Sequence, residues 1–324
     1  MKRSRDARED NECERIDFQR IANCDGGELR DATGAKDARV EVDFTNWHHT
    51  RALTRSILRV HYDVSDWDIP SGHLVPPVRN RMNYLTWLET LRRLSAPIGA
   101  DASANGADVR VLDVGTGASA IYALLGASVY GWSFVGTDVT DVALEGAEAN
   151  VERNPRLREL IEIRDARKID GTFNFLRGVV KPDEKFTFCM CNPPFFESMD
   201  EAGLNPNTAC GGTETEMVCP GGEESFIKSM FRDSLEMKDS IHWFTTMCGK
   251  KKTMTKMRSM FHTMRVPAVR TTELVQGKTS RWCIAWSFSR HAASMNTSPL
   301  PDLEKLKKVR EICANMRAQA PHER

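Results

Sequence analysis

Asn192-Pro193-Pro194-Phe195, followed by Phe196, closes an apolar run from Phe186 to Cys191 that reads as a buried strand. An exocyclic amine on an aromatic ring is a poor nucleophile because its lone pair is delocalised. A site that alkylates one must therefore hold it beside the electrophile. The Asn192 side-chain carbonyl and the Pro193 backbone carbonyl can accept the two N–H bonds of such an amine, and Phe195 or Phe196 can stack on a flat base. Pro193 and Pro194 stiffen the loop and bring no N–H of their own into the pocket. No strong general base is required. The planar amide of a protein glutamine would fit the same loop, so the four residues alone leave the substrate open.

Upstream, Val111-Leu112-Asp113-Val114 reads as an apolar strand that ends in Gly115-Thr116-Gly117 and opens a helix. Glycines there let a ligand come close to backbone N–H groups, in the crevice beyond the strand's carboxyl end. The third glycine of the dinucleotide fingerprint is missing, because position 120 is Ala. A second strand then ends in Gly136-Thr137-Asp138, where the carboxylate can accept both hydroxyls of a ribose. Together these residues suit the adenosine moiety of S-adenosylmethionine. Asp165, just beyond the third strand, is a further candidate for the same ligand.

The elements that must position these groups alternate between strand and helix. Strands are expected at Val109–Val114, Trp132–Thr137, Leu160–Arg164, Phe186–Cys191 and Ile241–Met247, with helices at Ala118–Ser128, Val142–Val151 and Glu223–Met237. Such alternation specifies an α/β fold with a mostly parallel sheet. Two last strands, Val269–Val275 and Trp282–Ser289, flank a hairpin turn at Gln276-Gly277-Lys278 and finish the sheet with an antiparallel edge. Residues 1–40 read as an arm that is partly disordered and could contact RNA. Residues 41–100 read as a helical extension with helices near Asn46–Val60 and Met82–Leu94, residues 101–290 as the catalytic domain, and residues 291–324 as a linker and C-terminal helix over Leu303–Met316.

Lys and Arg (45) balance Asp and Glu (45) over 324 residues, so nucleic-acid affinity must come from local patches. Arg51, Arg55 and Arg59 share one helical face, and Lys250-Lys251-Lys252, with Lys256 and Arg258, is the densest basic run. The nine cysteines lack metal-ligand spacing, no metal is expected, and no stretch reaches membrane-spanning length. The catalytic domain is expected to act as a monomer. Trp282 and Trp286 share a strand face and read as core, His48 and His49 as surface or cap residues, and Ala209–Gly222 as an active-site lid.

Asp113–Ser119, Met190–Phe196 and Gln276–Phe288 resemble the adenine-N6 RNA methyltransferases that modify U6 spliceosomal RNA, together with their bacterial 23S rRNA relatives. The resemblance extends through Arg51-Ala52-Leu53-Thr54, Arg81-Met82-Asn83-Tyr84, Gly211-Gly212-Thr213, Gly221-Gly222-Glu223 and Gly249-Lys250-Lys251. It implies a Rossmann-like class I methyltransferase with a seven-stranded sheet, S-adenosylmethionine as donor, and a hairpin or small nuclear RNA as partner. By position, Arg81, Gly115, Asp138 and Asn192 match cofactor or catalytic residues of that family. The resemblance favours the nucleus over the cytoplasm. Two rivals remain at this stage: a protein glutamine methyltransferase, and an RNA-binding module that keeps the fold without the reaction.

Overall fold

The protein, represented by a computed structural model, is described over residues 18–35, 39–95, 108–167, 175–203, 211–276, 279–289 and 292. The C-terminal helix expected at 303–316 and the turn residues 277 and 278 lie outside these.

Seven strands form one sheet: β1 (Arg110–Val114), β2 (Ser133–Asp138), β3 (Ile161–Asp165), β4 (Phe186–Cys191), β5 (Ile241–Cys248), β6 (Ala268–Gln276) and β7 (Thr279–Ser287). Their order is β3-β2-β1-β4-β5-β7-β6. All neighbouring pairs from β3 to β5 are parallel, and β7 runs antiparallel to both β5 and β6. β1 and β4 are buried over nearly their whole length, as strands covered on both faces must be. The order reverses between β1 and β4. Loops leaving adjacent strands diverge there to opposite faces and open the crevice in which ligands of such sheets bind.

Two apolar layers cover the sheet. One contains Trp87, Leu124, Trp132, Phe134, Phe188 and Trp243 and rests under α4 (Val78–Ser95) and α5 (Ile121–Tyr130). The other contains Leu112, Cys189, Phe244, Phe261 and Trp286 and is covered by α9 (Gly222–Ser234) and α10 (Lys251–Thr263). Trp286 is fully buried and Trp282 packs partly against the same layer.

The arm before the helical extension is where the structure adds most to the sequence reading. From Phe18 onward the supposed arm is ordered into α1 (Phe18–Cys24) and α2 (Glu28–Thr33), packed on α3 (Trp47–Tyr62). Its mixed charge hides three buried apolar anchors, Ile21, Ala22 and Leu29. Asp25 completes the joint: its carboxylate, 1% exposed, accepts from Gly27 N at 2.8 Å, Leu29 N at 2.9 Å and Ser56 Oγ at 2.6 Å. A strap at residues 65–69 then ties the extension to the sheet domain. Buried Asn150 on α6 (Asp141–Glu152) bonds both backbone groups of Asp68, at 2.8 and 2.7 Å, and the Ala118 carbonyl at 2.9 Å. Trp67 Nε1 donates to the Ser119 carbonyl at 2.8 Å. The strap therefore braces the backbone that follows the Gly-rich turn.

Candidate active site

Asp113 stands in β1 beside Met190 of β4, and Val114 beside Cys191, so Gly115 and Asn192 leave the sheet as neighbours. Gly115 (φ +72°) and Gly117 (φ +64°) take left-handed backbone conformations, and nothing lies within 4 Å of where a Cβ would stand at either. Helix α5 begins at Ile121 rather than Ala118, because Ala120 also turns left-handed (φ 45°). The expectation that this turn offers free N–H groups fails. Gly115 N and Thr116 N both donate to the Thr137 carbonyl at 2.9 Å, and Gly117 N donates to Asp138 Oδ2 at 3.0 Å. What the turn presents is open glycine surface.

The free hydrogen-bonding capacity sits in side chains instead. Both carboxylate oxygens of Asp113, the Thr116 hydroxyl and Asn192 Oδ1 are buried without a well-formed hydrogen bond among the described residues. An unmade bond at a buried polar atom costs about 1–3 kcal/mol, and here four such atoms gather at the crevice. Burial pushes the Asp113 carboxyl up to about 7, against the pull of the adjacent Thr116 hydroxyl and the Arg81 guanidinium. Arg81, 8% exposed, bonds the Tyr122 hydroxyl at 3.3 Å and lies over that ring. Burial also raises the Asp138 carboxyl, although Val139 N and Gly117 N donate to it. Thr140 N and the Thr140 hydroxyl also donate to Oδ1, at 3.4 and 3.5 Å, so the capacity Asp138 keeps for a ribose hydroxyl lies at Oδ2, which accepts from Gly117 N alone. Asp165 pairs with Asp138 in register at the strand tips, but its side chain is exposed and holds the Arg167 guanidinium at 2.6 Å.

Beyond β4, Pro193 is buried and Pro194, Phe195 and Phe196 are half-buried. The Phe195 ring packs against Gly249, where a Cβ would come within 3.0 Å of it, and the Arg281 guanidinium lies 5.6 Å from its centroid. Burial and the nearby charge of Arg81 make Arg281 easier to deprotonate than an ordinary arginine. Glu223, 2% exposed, holds the backbone behind the ring by accepting from Gly249 N at 2.6 Å and Lys250 N at 3.1 Å. Phe196 is locked through its backbone to Met217 and Cys219, both at 3.0 Å. Met217 ends α8 (Glu214–Met217) and Cys219 lies just past it, within the segment expected to be a lid. Glu216 anchors the segment to the extension, 3.2 Å from both His73 Nδ1 and Leu74 N.

Four contributors escaped the sequence reading. Tyr84, fully buried, contacts Thr245 Oγ1 at 2.8 Å and the Cys191 carbonyl, immediately before Asn192, at 3.5 Å. Thr245 donates to the Cys189 carbonyl at 3.0 Å, so the proton between the two hydroxyls belongs to Tyr84. Tyr84 and Glu223 stood inside segments that carried the family resemblance. Glu216 closes the capping box Thr213-Glu214-Thr215-Glu216, a local signal for a helix start that says nothing of His73 or Leu74, and Thr245 gave no local signal.

The arginine face of α3 is ion-paired within the protein. Arg51 makes a bidentate pair with Asp68 at 2.6 Å, Arg55 binds Glu28 and Asp66, and Arg59 reaches Glu28. These pairs tie α3 to the strap and to α2. Lys250 bonds Glu201, whereas Lys251 and Lys252 are exposed at the start of α10. Asn46, not a histidine, caps α3 by accepting from His48 N and His49 N.

A protein-family model described as RNA methyltransferase matches residues 2–290. The chain belongs to that family. It is 34% identical over 293 residues to ribosomal RNA large subunit methyltransferase F of Flavobacterium johnsoniae, spanning 90% of that protein and 85% of its own length. It is 38% identical over 263 residues to the human RNA N(6)-adenosine-methyltransferase METTL16, but spans only 45% of that longer protein and 78% of its own length. Among solved structures, the human METTL16 catalytic domain in complex with hairpin 1 of the MAT2A 3′UTR superposes with a TM-score of 0.74 at 34% identity, covering 85% of this chain and 92% of that one. The N-terminal domain of human METTL16 in complex with SAH gives 0.68 at 34% identity, covering 89% and 98%. The fold of this RNA methyltransferase is thus the seven-stranded class I sheet. Among the described residues no group of His, Cys, Asp and Glu could hold a metal ion, and no helix is long and apolar enough to cross a membrane.

Proposed function

We infer that this enzyme transfers a methyl group from S-adenosylmethionine to the exocyclic N6 of an unpaired adenine in structured RNA. The observation that carries this is Asn192 Oδ1, an acceptor buried without a partner where β4 meets the crevice beside Gly115. The donor, when bound, supplies an electrophilic methyl on a sulfonium. Open space at Gly115 and Gly117, the unpartnered Asp113 and Thr116, and buried Arg81 suit a ligand carrying an ammonium, a carboxylate and a ribose. Asp113 would accept from the ammonium, Arg81 would take the carboxylate, and Asp138 would accept from the ribose, with Asp165 beside it at the strand tip. Asn192 Oδ1 and the Pro193 carbonyl orient the amine for in-line attack, with Pro194 fixing the turn and Phe195 or Phe196 stacking the base.

Two targets are compatible with this chemistry. Similarity to the human enzyme supports a small nuclear or hairpin RNA, with work in the nucleus. Similarity across 90% of the F. johnsoniae enzyme supports ribosomal RNA of the large subunit. Lys250, Lys251 and Lys252 would meet the RNA backbone in either case. Labelling total RNA with radioactive donor and separating it by size tests both: a band at small nuclear RNA favours the first, a band at large ribosomal RNA the second. Label that survives nuclease but not protease overturns the RNA reading in favour of a protein glutamine substrate.

A further inference from the structure

We propose that the groove between α10 and β6 is a second RNA contact, holding the phosphodiester backbone of the strand that flanks the methylated adenine. The proposal rests on RNA being the substrate. The groove has a volume of about 570 Å³ and is lined by Thr255, Arg258, Ser259, His262 and Thr263 of α10, with Thr271 facing them from β6. The helix that walls it begins at the site. Gly249, which abuts Phe195, leads through Lys250 directly into α10, and the helix then runs away from the site along the outer strands for about 20 Å.

Charge and spacing single out a polyanion in extended form. Lys251, Thr255, Arg258 and His262 recur every three or four residues, so they form one exposed stripe with a step of about 5.4 Å. That step is close to the separation of successive phosphates in an extended strand. Lys251, Lys252, Arg258 and His262 make no ion pair among the described residues, in contrast to the neutralised arginines of α3. Two lysines in the first turn of α10 also oppose the helix dipole, at a cost that a bound anion would reverse. Nearby carboxylates are largely occupied: Glu224 binds Lys228 and Lys256, and Glu201 binds Lys250. Glu273, exposed on the same face of β6 as Thr271, is the one the strand must pass. Hydroxyls and cations contact phosphate and sugar rather than base edges, and the ring in this lining, His262, could stack on a base without reading its edge, so this contact is indifferent to sequence.

The test compares a hairpin RNA bearing an unpaired loop adenine, with and without single-stranded extensions, against the wild type and the Arg258→Ala/His262→Ala double variant. Both side chains are exposed, so folding is preserved, and thermal melting verifies it. The wild type binds the extended RNA more tightly than the trimmed one. The variant loses that gain, its plot of log affinity against log salt is shallower by roughly one per lost phosphate contact, and it methylates the trimmed hairpin at the wild-type rate. Equal affinity and equal salt slope for wild type and variant on the extended RNA overturn the groove while leaving the substrate reading intact. Wild type that neither binds nor labels either RNA overturns the substrate reading itself, and with it the groove. An acidic peptide that wild type binds and the variant does not, with RNA affinity the same for both, assigns the groove to a protein partner and also overturns the proposal.

Discussion

Replacing Asp113 with asparagine should stabilise the ligand-free protein at alkaline pH while weakening its hold on the cofactor. The Asp113 carboxyl is fully buried and rises from 3.8 to about 7. A group whose proton is held more tightly in the folded state contributes stability that is complete below its unfolded value and is lost as pH climbs through its folded value. Here the loss runs from pH 4 to pH 7 at about 1.4 kcal/mol per pH unit, or on the order of 4 kcal/mol in all. Structural relaxation around the buried charge will reduce that. The substituted amide has the same shape and no charge to bury, so wild type and variant should be similar at pH 4, diverge steadily up to about pH 7 and stay a constant distance apart above it, with the variant the more stable. Glu162 and Glu184, both held down to about 2 by Arg164, act on the other side: their contribution is present above the usual glutamate range and is lost as pH falls through 2. They do not blur the window. Urea denaturation across that pH range, with constant dependence on denaturant, measures the difference directly. Binding of S-adenosylhomocysteine should show the opposite trend: affinity for wild type rises with pH up to 7 as the carboxylate forms, and is weak and flat for the variant. Parallel stability curves for the two proteins would refute the reasoning, because they would show that Asp113 is not a buried, titrating carboxyl.

Other substitutions separate binding from positioning. Asn192→Ala should abolish turnover and leave S-adenosylhomocysteine affinity nearly unchanged by calorimetry; near-normal turnover would remove Asn192 from the mechanism. Tyr84→Phe removes the hydroxyl that donates to Thr245 beside the carbonyl before Asn192, and should lower kcat about tenfold with less than about 1.5 kcal/mol of destabilisation. A rise in cofactor KM with kcat intact would instead place Tyr84 behind the cofactor. Gly249→Ala puts a Cβ 3.0 Å from the Phe195 ring and should cost about 1–3 kcal/mol in overpacking, with RNA turnover falling more than cofactor affinity. Glu216→Ala frees the segment from His73 and Leu74, and limited proteolysis should then cut residues 211–222 faster than in wild type, whether or not cofactor is present.

Which parts were legible in the sequence follows from how local each signal is. Gly115 to Gly117, Asp113, Asp138 and Asn192 to Phe195 lie at strand ends, where type and order along the chain mark a crevice before any coordinates exist. The strand at Phe186–Cys191 was read to its true ends because apolar run and proline loop meet there. The ion pairs of Arg51, Arg55 and Arg59 were not legible because their partners come from elsewhere: Asp66 and Asp68 stand on a strap placed by Asn150, and Glu28 lies on α2. The order of residues 18–35 was equally hidden, since Asp25 and Leu29 become anchors only once α3 supplies Ser56 and a surface to cover. The Gly-rich turn was located correctly, but the engagement of its N–H groups was not legible, because it takes the pairing of β1 with β2 to bring Thr137 and Asp138 to them. Tyr84 and Thr245 meet across 161 positions of sequence, and no periodicity announces such a bond.

Transfer of radiolabelled methyl from S-adenosylmethionine to total RNA, followed by digestion to nucleosides and chromatography, addresses the reaction most directly. Label recovered as N6-methyladenosine, and absent when Asn192→Ala replaces the wild type, is the expected result. Label in another nucleoside, or none in RNA from a protein shown to bind S-adenosylhomocysteine, would contradict it.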